Sequence, residues 1–203
     1  AAQVTASSSD NCATNALVSP NSFTCANLGT VNVTLSVNDG NGNTSTCTSN
    51  VTVNDDAGPS VTCQNYTLNL DGSGNGTLTT ANAYSSGSDN CGTVNQQSVS
   101  PSAYTCANIG NSTATLTVND GNGNTGTCTS QVTVQENTPP TVTCQNAILN
   151  LDGAGNATLN TADLYASGSD NCVTVNQQSV SPNSFTCANI GMVTSTLTVA
   201  DGS

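Results

Sequence analysis

Apolar residues along this chain alternate with polar ones, and short runs of Asn, Asp, Gly and Pro break the alternation. Tyr66, Leu68 and Leu70 are separated by Thr67 and Asn69, after which DGSGN turns the chain into GTLTT. Strict period-two alternation of this kind predicts half-buried strands. STATLTVND and TGTCTSQVTV flank the run from Asn119 to Gly123, whose residues tolerate positive φ, so this pair predicts a β-hairpin. Six or seven such strands fit into about 80 residues with no convincing helical stripe, and the predicted fold class is all-β: an antiparallel β-sandwich of immunoglobulin-like type.

The pattern also recurs. VTCQN from Val61 returns from Val142, LDGSGNGTL from Leu70 returns as LDGAGNATL from Leu151, and SGSDNC from Ser86 returns from Ser167. The offset is the same each time, so the unit is a tandem repeat of about 81 residues. FTCANLG from Phe23, YTCANIG from Tyr104 and FTCANIG from Phe185 keep that spacing, and the first unit is two residues shorter between Cys12 and Cys25. Residues 1–57 therefore read as the C-terminal part of one repeat, 58–138 as a complete repeat and 139–203 as the N-terminal part of a third. The linkers DDAGPS and ENTPPT follow the terminal strands, where their prolines cannot continue a ladder. This phasing is the one expected of a segment of a longer tandem array.

Composition narrows the function. The 203 residues include no Lys, Arg or His against eleven Asp and one Glu, for a net charge of -12. Without a cation the chain cannot neutralise phosphates, so neither nucleic acid nor an anionic membrane face is an expected partner. It also lacks a His for acid-base work, a Lys for a Schiff base and an Arg to clamp an anion, so no enzyme and no catalytic residue are expected. Asn, Ser and Thr make up 88 of the residues, which alone would suit disorder, but 19 Val and ten Cys argue for folded strands. Ten cysteines point to a stabilising disulfide framework and an oxidising compartment. No stretch approaches the roughly 18 apolar residues of a membrane span. AAQVTASSSD lacks the regions of a signal peptide, so an export signal is expected outside this stretch or already removed.

Four cysteines in the complete repeat allow three pairings. In a tandem sandwich the chain enters at one pole and leaves at the other, which brings the starts of the first and last strands to similar height and pairs Cys63 with Cys128. Cys91 and Cys106 then close an excursion of about 15 residues. By repetition Cys12 pairs with Cys25 and Cys172 with Cys187, leaving Cys47 and Cys144 without partners in this stretch. A competing scheme, Cys47 with Cys63 and Cys128 with Cys144, leaves no thiol over and staples neighbouring repeats. It requires the sulfurs to meet across an extended strand of about 3.3 Å per residue plus a linker. Zinc is not expected, because the chain has no His and no CxxC pair.

The acids sit at recurring loop positions: Asp10, Asp89 and Asp170 in the SDNC loop, Asp39, Asp120 and Asp201 at the hairpin DG, Asp71 and Asp152 at the other DG, and Asp55, Asp56 and Glu136 in the linkers. If the SDNC loop and the hairpin turn share the pole next to the incoming linker, Asp89 and Asp120 meet Asp55 or Asp56 at one junction. Asp170, Asp201 and Glu136 meet at the next. Clustered hard oxygens with no neutralising cation suit Ca²⁺, the one cofactor the sequence offers. Asp-Gly and Asn-Gly are equally ordinary turn chemistry, so two readings stand, calcium or solvated turns.

The succession VTCQN, SDNCG, TLTVNDGNGNTGTC and VTV resembles hyalin-repeat (HYR) and related immunoglobulin-like modules. The CQN variant with LDGSGN is more similar to the repeats of very large flavobacterial cell-surface proteins, gliding adhesins among them. That resemblance implies export, through a type IX system in that group, and a role in adhesion or gliding. Physical reasoning leads to a similar place: an acidic string of sandwiches, each adding about 30 to 40 Å, repels itself into an extended form. The expected function is a structural segment of an extracellular, cell-surface adhesin or filament. Its expected partners are neighbouring repeats, other copies in a fibre, or a surface or glycan ligand. A carbohydrate- or ice-binding module is the alternative, resting on the Thr rows of TLTV and VTV.

Overall fold

A computed structural model describes residues 15–202 of the chain. Its first part is an antiparallel three-stranded sheet of β1 (Asn15–Ser19), β2 (Gly29–Asn38) and β3 (Thr44–Val53). Asn38 lies opposite Thr44, so the turn from Asp39 to Asn43 closes the β2–β3 hairpin, and the Asp39 carboxylate accepts the N–H groups of Asn41 and Asn43 at 2.8 and 3.0 Å. The complete repeat contains β4 (Ser60–Cys63), β5 (Tyr66–Asn69), β6 (Asn75–Thr77), α1 (Thr80–Ala83), β7 (Tyr84–Ser88), β8 (Asn95–Ser100), β9 (Ala103–Thr105), β10 (Gly110–Asn119) and β11 (Thr125–Gln135). The third part follows with β12 (Thr141–Cys144), β13 (Asn156–Thr158), α2 (Thr161–Leu164), β14 (Tyr165–Ser169), β15 (Asn176–Ser181), β16 (Ser184–Thr186) and β17 (Thr196–Ala200). From β12 to β16 every element repeats the bounds of its counterpart in the complete repeat at the sequence offset.

The fold is an immunoglobulin-like β-sandwich. One sheet of the complete repeat has the order β5-β11-β10-β8, and its remaining strands form the pairs β4-β7 and β6-β9. One pairing departs from the antiparallel expectation: β5 runs parallel to β11, with Tyr66 opposite Val132 and Asn69 opposite Gln135. Just ahead of the paired stretches the Ser130 hydroxyl in β11 donates to the Gln64 carbonyl before β5, so both strands leave one contact in the same direction. The one-turn helices are the other departure. Each begins at a Thr-x-x-Asn or Asn-x-x-Asp box: at α1, Asn82 N–H donates to Thr79 Oγ1 at 3.3 Å while Thr79 N–H donates to Asn82 Oδ1 at 3.0 Å. The TCAN turns after β9 and β16 use the same Thr and Asn, and a single turn leaves no hydrophobic period to detect.

The core is small and built by alternation. β10 turns Ala114, Leu116 and Val118 inward and β11 turns Ser130, Val132 and Val134 inward, while Thr113, Thr115, Thr127 and Thr129 face out. Leu68, Leu70, Leu78 and Tyr104 form one cluster with Ala114, Val132 and Val134. The hydroxyl of buried Ser130 donates to the Gln64 carbonyl at 2.6 Å, which satisfies the one polar side chain in that row. In the third part, Leu159, Leu164, Val180, Phe185 and Leu197 form a second cluster in which Phe185 takes the place of Tyr104.

By packing density the chain resolves into two compact units. One is the described part of Ala1–Thr62 with Ser86–Gln97 and Thr117–Thr127; the other is Cys63–Ser85 with Ser98–Leu116 and Cys128–Ser203. Each unit contains one linker in full. In the first, the linker lies against the start of β11: a Cβ on Gly126 would run into the Pro59 carbonyl oxygen, so only glycine permits the approach.

Three disulfides occur among the described residues: Cys25–Cys91, Cys63–Cys128 and Cys106–Cys172, with Cα separations of 5.0, 5.6 and 5.2 Å. Cys63 at the end of β4 meets Cys128 in β11. The predicted short-range pairs are not formed. Cys91 bonds Cys25 and not Cys106; Cys172 bonds Cys106 and not Cys187; Cys25 is thereby taken from Cys12, which lies outside the described residues. Strand length gives the reason. The six residues of β8 carry the chain about 20 Å from the SDNC loop, and the three residues of β9 return only about half of that, so the excursion does not close on itself. Each of the two described SDNC loops reaches instead to a TCAN turn 66 residues earlier in the chain. The alternative pairs Cys47–Cys63 and Cys128–Cys144 are absent as well, and Cys47, Cys144 and Cys187 are exposed thiols.

Candidate metal centres

Two groups of three carboxylates come together, one within each compact unit. Asp55, Asp89 and Asp120 each place one carboxylate oxygen within 4.8 Å of the other two, and Glu136, Asp170 and Asp201 do the same. The elements responsible are the linker, the SDNC loop after β7 or β14, and the turn after β10 or β17. Of the two linker candidates in the first group, Asp55 belongs to it and Asp56 is exposed outside it. Asp10 lies outside the described residues.

In the first group Asp120 is 3 % exposed. Its Oδ1 accepts the N–H groups of Asn122, Gly123 and Asn124 at 2.8, 3.1 and 3.1 Å, and its Oδ2 accepts the Asn124 amide at 2.7 Å. Burial pushes its pKa up, but these hydrogen bonds outweigh burial and hold the carboxyl below the ordinary Asp value. Asp55 is held by two amides, Asn90 Nδ2 on Oδ1 at 3.2 Å and Asn122 Nδ2 on Oδ2 at 3.1 Å. Asp89 Oδ2 accepts the N–H groups of Cys91 and Gly92 at 2.9 and 2.7 Å, which aims Oδ1 away from the loop into a buried position with no hydrogen-bond partner. Gly92 makes this possible, because a Cβ there would collide with the Asp120 carbonyl oxygen.

The second group repeats the scheme. Asp170 Oδ2 accepts the N–H groups of Cys172 and Val173 at 2.9 and 3.2 Å, and its Oδ1 is buried without a partner. Glu136 is 5 % exposed; its Oε1 accepts the Thr138 N–H and its Oε2 is also buried and unpartnered. Asn171 ties the loop down by donating to the Asp71 carbonyl at 3.0 Å and to Thr138 Oγ1 at 3.4 Å.

Two carboxylates at 4.8 Å repel by about 1 kcal/mol in water and about 3 kcal/mol at the effective dielectric of a protein surface. No Lys, Arg or His exists in the chain to offset this. A hard divalent cation bound by oxygen in each group would remove the repulsion and satisfy the orphaned oxygen of Asp89 in the first and those of Glu136 and Asp170 in the second. The residues present therefore fit Ca²⁺. Sequence reasoning located the acids but missed the amide clamps Asn90, Asn122 and Asn124, whose signal was available: NDGNGN and SDN fix each Asn at a constant offset from an Asp. Beside the first group, an open cleft of about 480 Å³ is lined by polar residues such as Asn54, Asp56 and Asn122 with Leu28 and Val53, and by no aromatic ring.

No protein-family model matches the chain, and no curated protein does. Among solved structures it is similar to a protocadherin gammaB7 EC3-6 cis-dimer, at 15 % identity over 83 % of this chain and 56 % of that one, with a TM-score of 0.33. It is also similar to protocadherin gamma B7 extracellular cadherin domains 1-4, at 16 % identity over 86 % of this chain and 53 % of that one, with a TM-score of 0.32. The chain spans a little over half the length of the solved chains it matches.

Proposed function

We propose that this chain is a structural segment of a long extracellular adhesin or filament whose repeat junctions are tied by disulfides and stiffened by calcium. The observation that carries the reading is the recurrence of one junction design: a carboxylate trio with buried, unpartnered oxygens beside a disulfide that joins one repeat to the next. Disulfides belong to an oxidising compartment, and no helix among the described residues is long and apolar enough to cross a membrane. The sequence resemblance to hyalin-type repeats and flavobacterial gliding adhesins supports the finer reading of a cell-surface role in adhesion or gliding. On this reading the chain carries no catalysis, and its partners are neighbouring repeats, further copies, and whatever surface the complete filament grips.

Calorimetric melting with calcium and with EDTA tests the junction. Extracellular calcium modules bind with Kd of about 10⁻⁴ to 10⁻³ M, so about 10 mM calcium should stabilise each site by roughly 1.5 to 3 kcal/mol. Asp89→Asn should abolish this response in the first unit and leave the second intact, and Glu136→Gln should do the reverse. An unchanged melting profile together with no binding heat on calcium titration would leave the carboxylates as solvated turns.

A further inference from the structure

The three disulfides form overlapping loops: Cys25–Cys91 spans 66 residues, Cys63–Cys128 spans 65 and Cys106–Cys172 spans 66. The first loop closes at Cys91 and the third opens at Cys106, so only a short stretch of backbone separates them. A tensile force that enters at Cys25 does not have to follow the whole backbone to reach Cys172. It crosses one disulfide, follows the segment from Cys91 to Cys106, and crosses the second disulfide. That segment is β8, the turn at Pro101 and β9, so even the short link is hydrogen-bonded into two sheets, β8 beside β10 and β9 beside β6.

From this topology we infer that the cross-repeat disulfides are strain limiters, and that the Cys91–Cys106 segment is the link through which load passes in the repeat. The reading rests on the disulfide connectivity alone and holds whether or not calcium binds or the filament is adhesive. At about 3.3 to 3.6 Å per extended residue, the link of about 15 residues reaches roughly 50 Å, and the two crossings of 5.0 and 5.2 Å bring the limit between Cys25 and Cys172 to about 60 Å. The reduced chain between the same residues reaches about 500 Å. Unfolding of a sandwich under load therefore releases little length while the bridges last. Cys63–Cys128 is off this path. Its loop encloses the link and serves as the reserve: without Cys25–Cys91, the shortest route runs from Cys25 to Cys63, across to Cys128 and back to Cys106. That detour follows about 60 residues of backbone and reaches roughly 200 Å.

Single-molecule pulling through handles fused to the two ends of the chain tests this. The oxidised protein should stop about 450 Å short of the reduced protein at full extension, because 66 residues are sheltered in each of two loops. Cys25→Ser with Cys91→Ser should lengthen the oxidised limit by about 150 Å, as the path reroutes through the reserve bridge. Cys63→Ser with Cys128→Ser should leave the limit unchanged while lowering the unfolding force. These readouts are contour lengths of the unfolded chain, so a variant that folds poorly still reports once peptide mapping shows its remaining bridges. A shortfall of only about 300 Å, which pairing within each repeat would give, overturns the inference. So does no shortfall, or a limit set by the Cys63–Cys128 bridge.

Discussion

Replacing Cys63 and Cys128 by alanine removes the bridge that lies wholly within the complete repeat. Both side chains are half-buried, so little packing is lost, and the effect is dominated by the 65-residue loop that the unfolded chain regains. The chain-entropy relation gives about 4 kcal/mol for a loop of that length. A small domain has about 5 to 15 kcal/mol in total, and this one has a thin core in which Tyr104 is the largest fully buried side chain. The bridge is therefore comparable with everything else that holds the sandwich. With a urea dependence of roughly 1 to 1.5 kcal/mol per M, the midpoint should fall by about 3 M. The chain has no Trp, so near-ultraviolet circular dichroism and tyrosine fluorescence, reporting on Tyr66 and Tyr104 among others, are the signals to follow. The alanine pair at Cys25 and Cys91 opens a loop of 66 residues and should cost the same within about 1 kcal/mol. A midpoint shift below about 0.5 M for the Cys63 and Cys128 pair would falsify the view that cross-links, and not the core, supply most of the stability.

Two further outcomes follow from the carboxylates and the thiols. Asp39 is held below the ordinary Asp value by the Asn43 amide and the Asn41 N–H, Asp71 by the N–H groups of Asn75 and Ser73, and Asp120 by the bonds described above, so each stabilises the fold when ionised. That contribution is complete above the unfolded-state pKa of about 3.9 and is lost as pH falls through the depressed folded values, so the melting temperature should hold from neutrality to about pH 5 and drop below about pH 4; a rise on acidification through that range counts against it. Among the described residues, alkylation of the denatured, unreduced protein should label Cys47, Cys144 and Cys187 and spare the six bridged cysteines, and label on Cys91 or Cys106 would contradict the connectivity.

The strands and the repeat were legible because both are patterns in one dimension. Thr and Val at period two set the faces of β10 and β11, and an echo at constant spacing is visible without any coordinates. The carboxylate trios were legible one step further on, because a sandwich that enters at one pole places the linker, the SDNC loop and the hairpin turn together. The pairing of Cys91 was not legible from the same geometry. It depends on how far β8 carries the chain before β9 turns back, and strand ends are where local sequence says least. Treating nearness in sequence as closeness gave Cys106 as the partner; the bridge to Cys25, 66 residues away along the chain, is the shorter distance in space. The choice of Asp55 over Asp56 was hidden for a similar reason, since adjacent linker residues differ only in which way the backbone turns them.

The overlap of the three loops also bears on how the molecule comes apart under attack. Every peptide bond between Cys25 and Cys172 lies inside at least one loop, so a single endoproteolytic cut anywhere in that span releases nothing. Tracing the covalent connections shows that at least three cuts, one of them between Cys91 and Cys106, are needed to part Cys25 from Cys172. The absence of Lys and Arg already denies trypsin-like proteases a cleavage site. Damage by the remaining proteases must therefore accumulate at several places before Cys25 and Cys172 come apart.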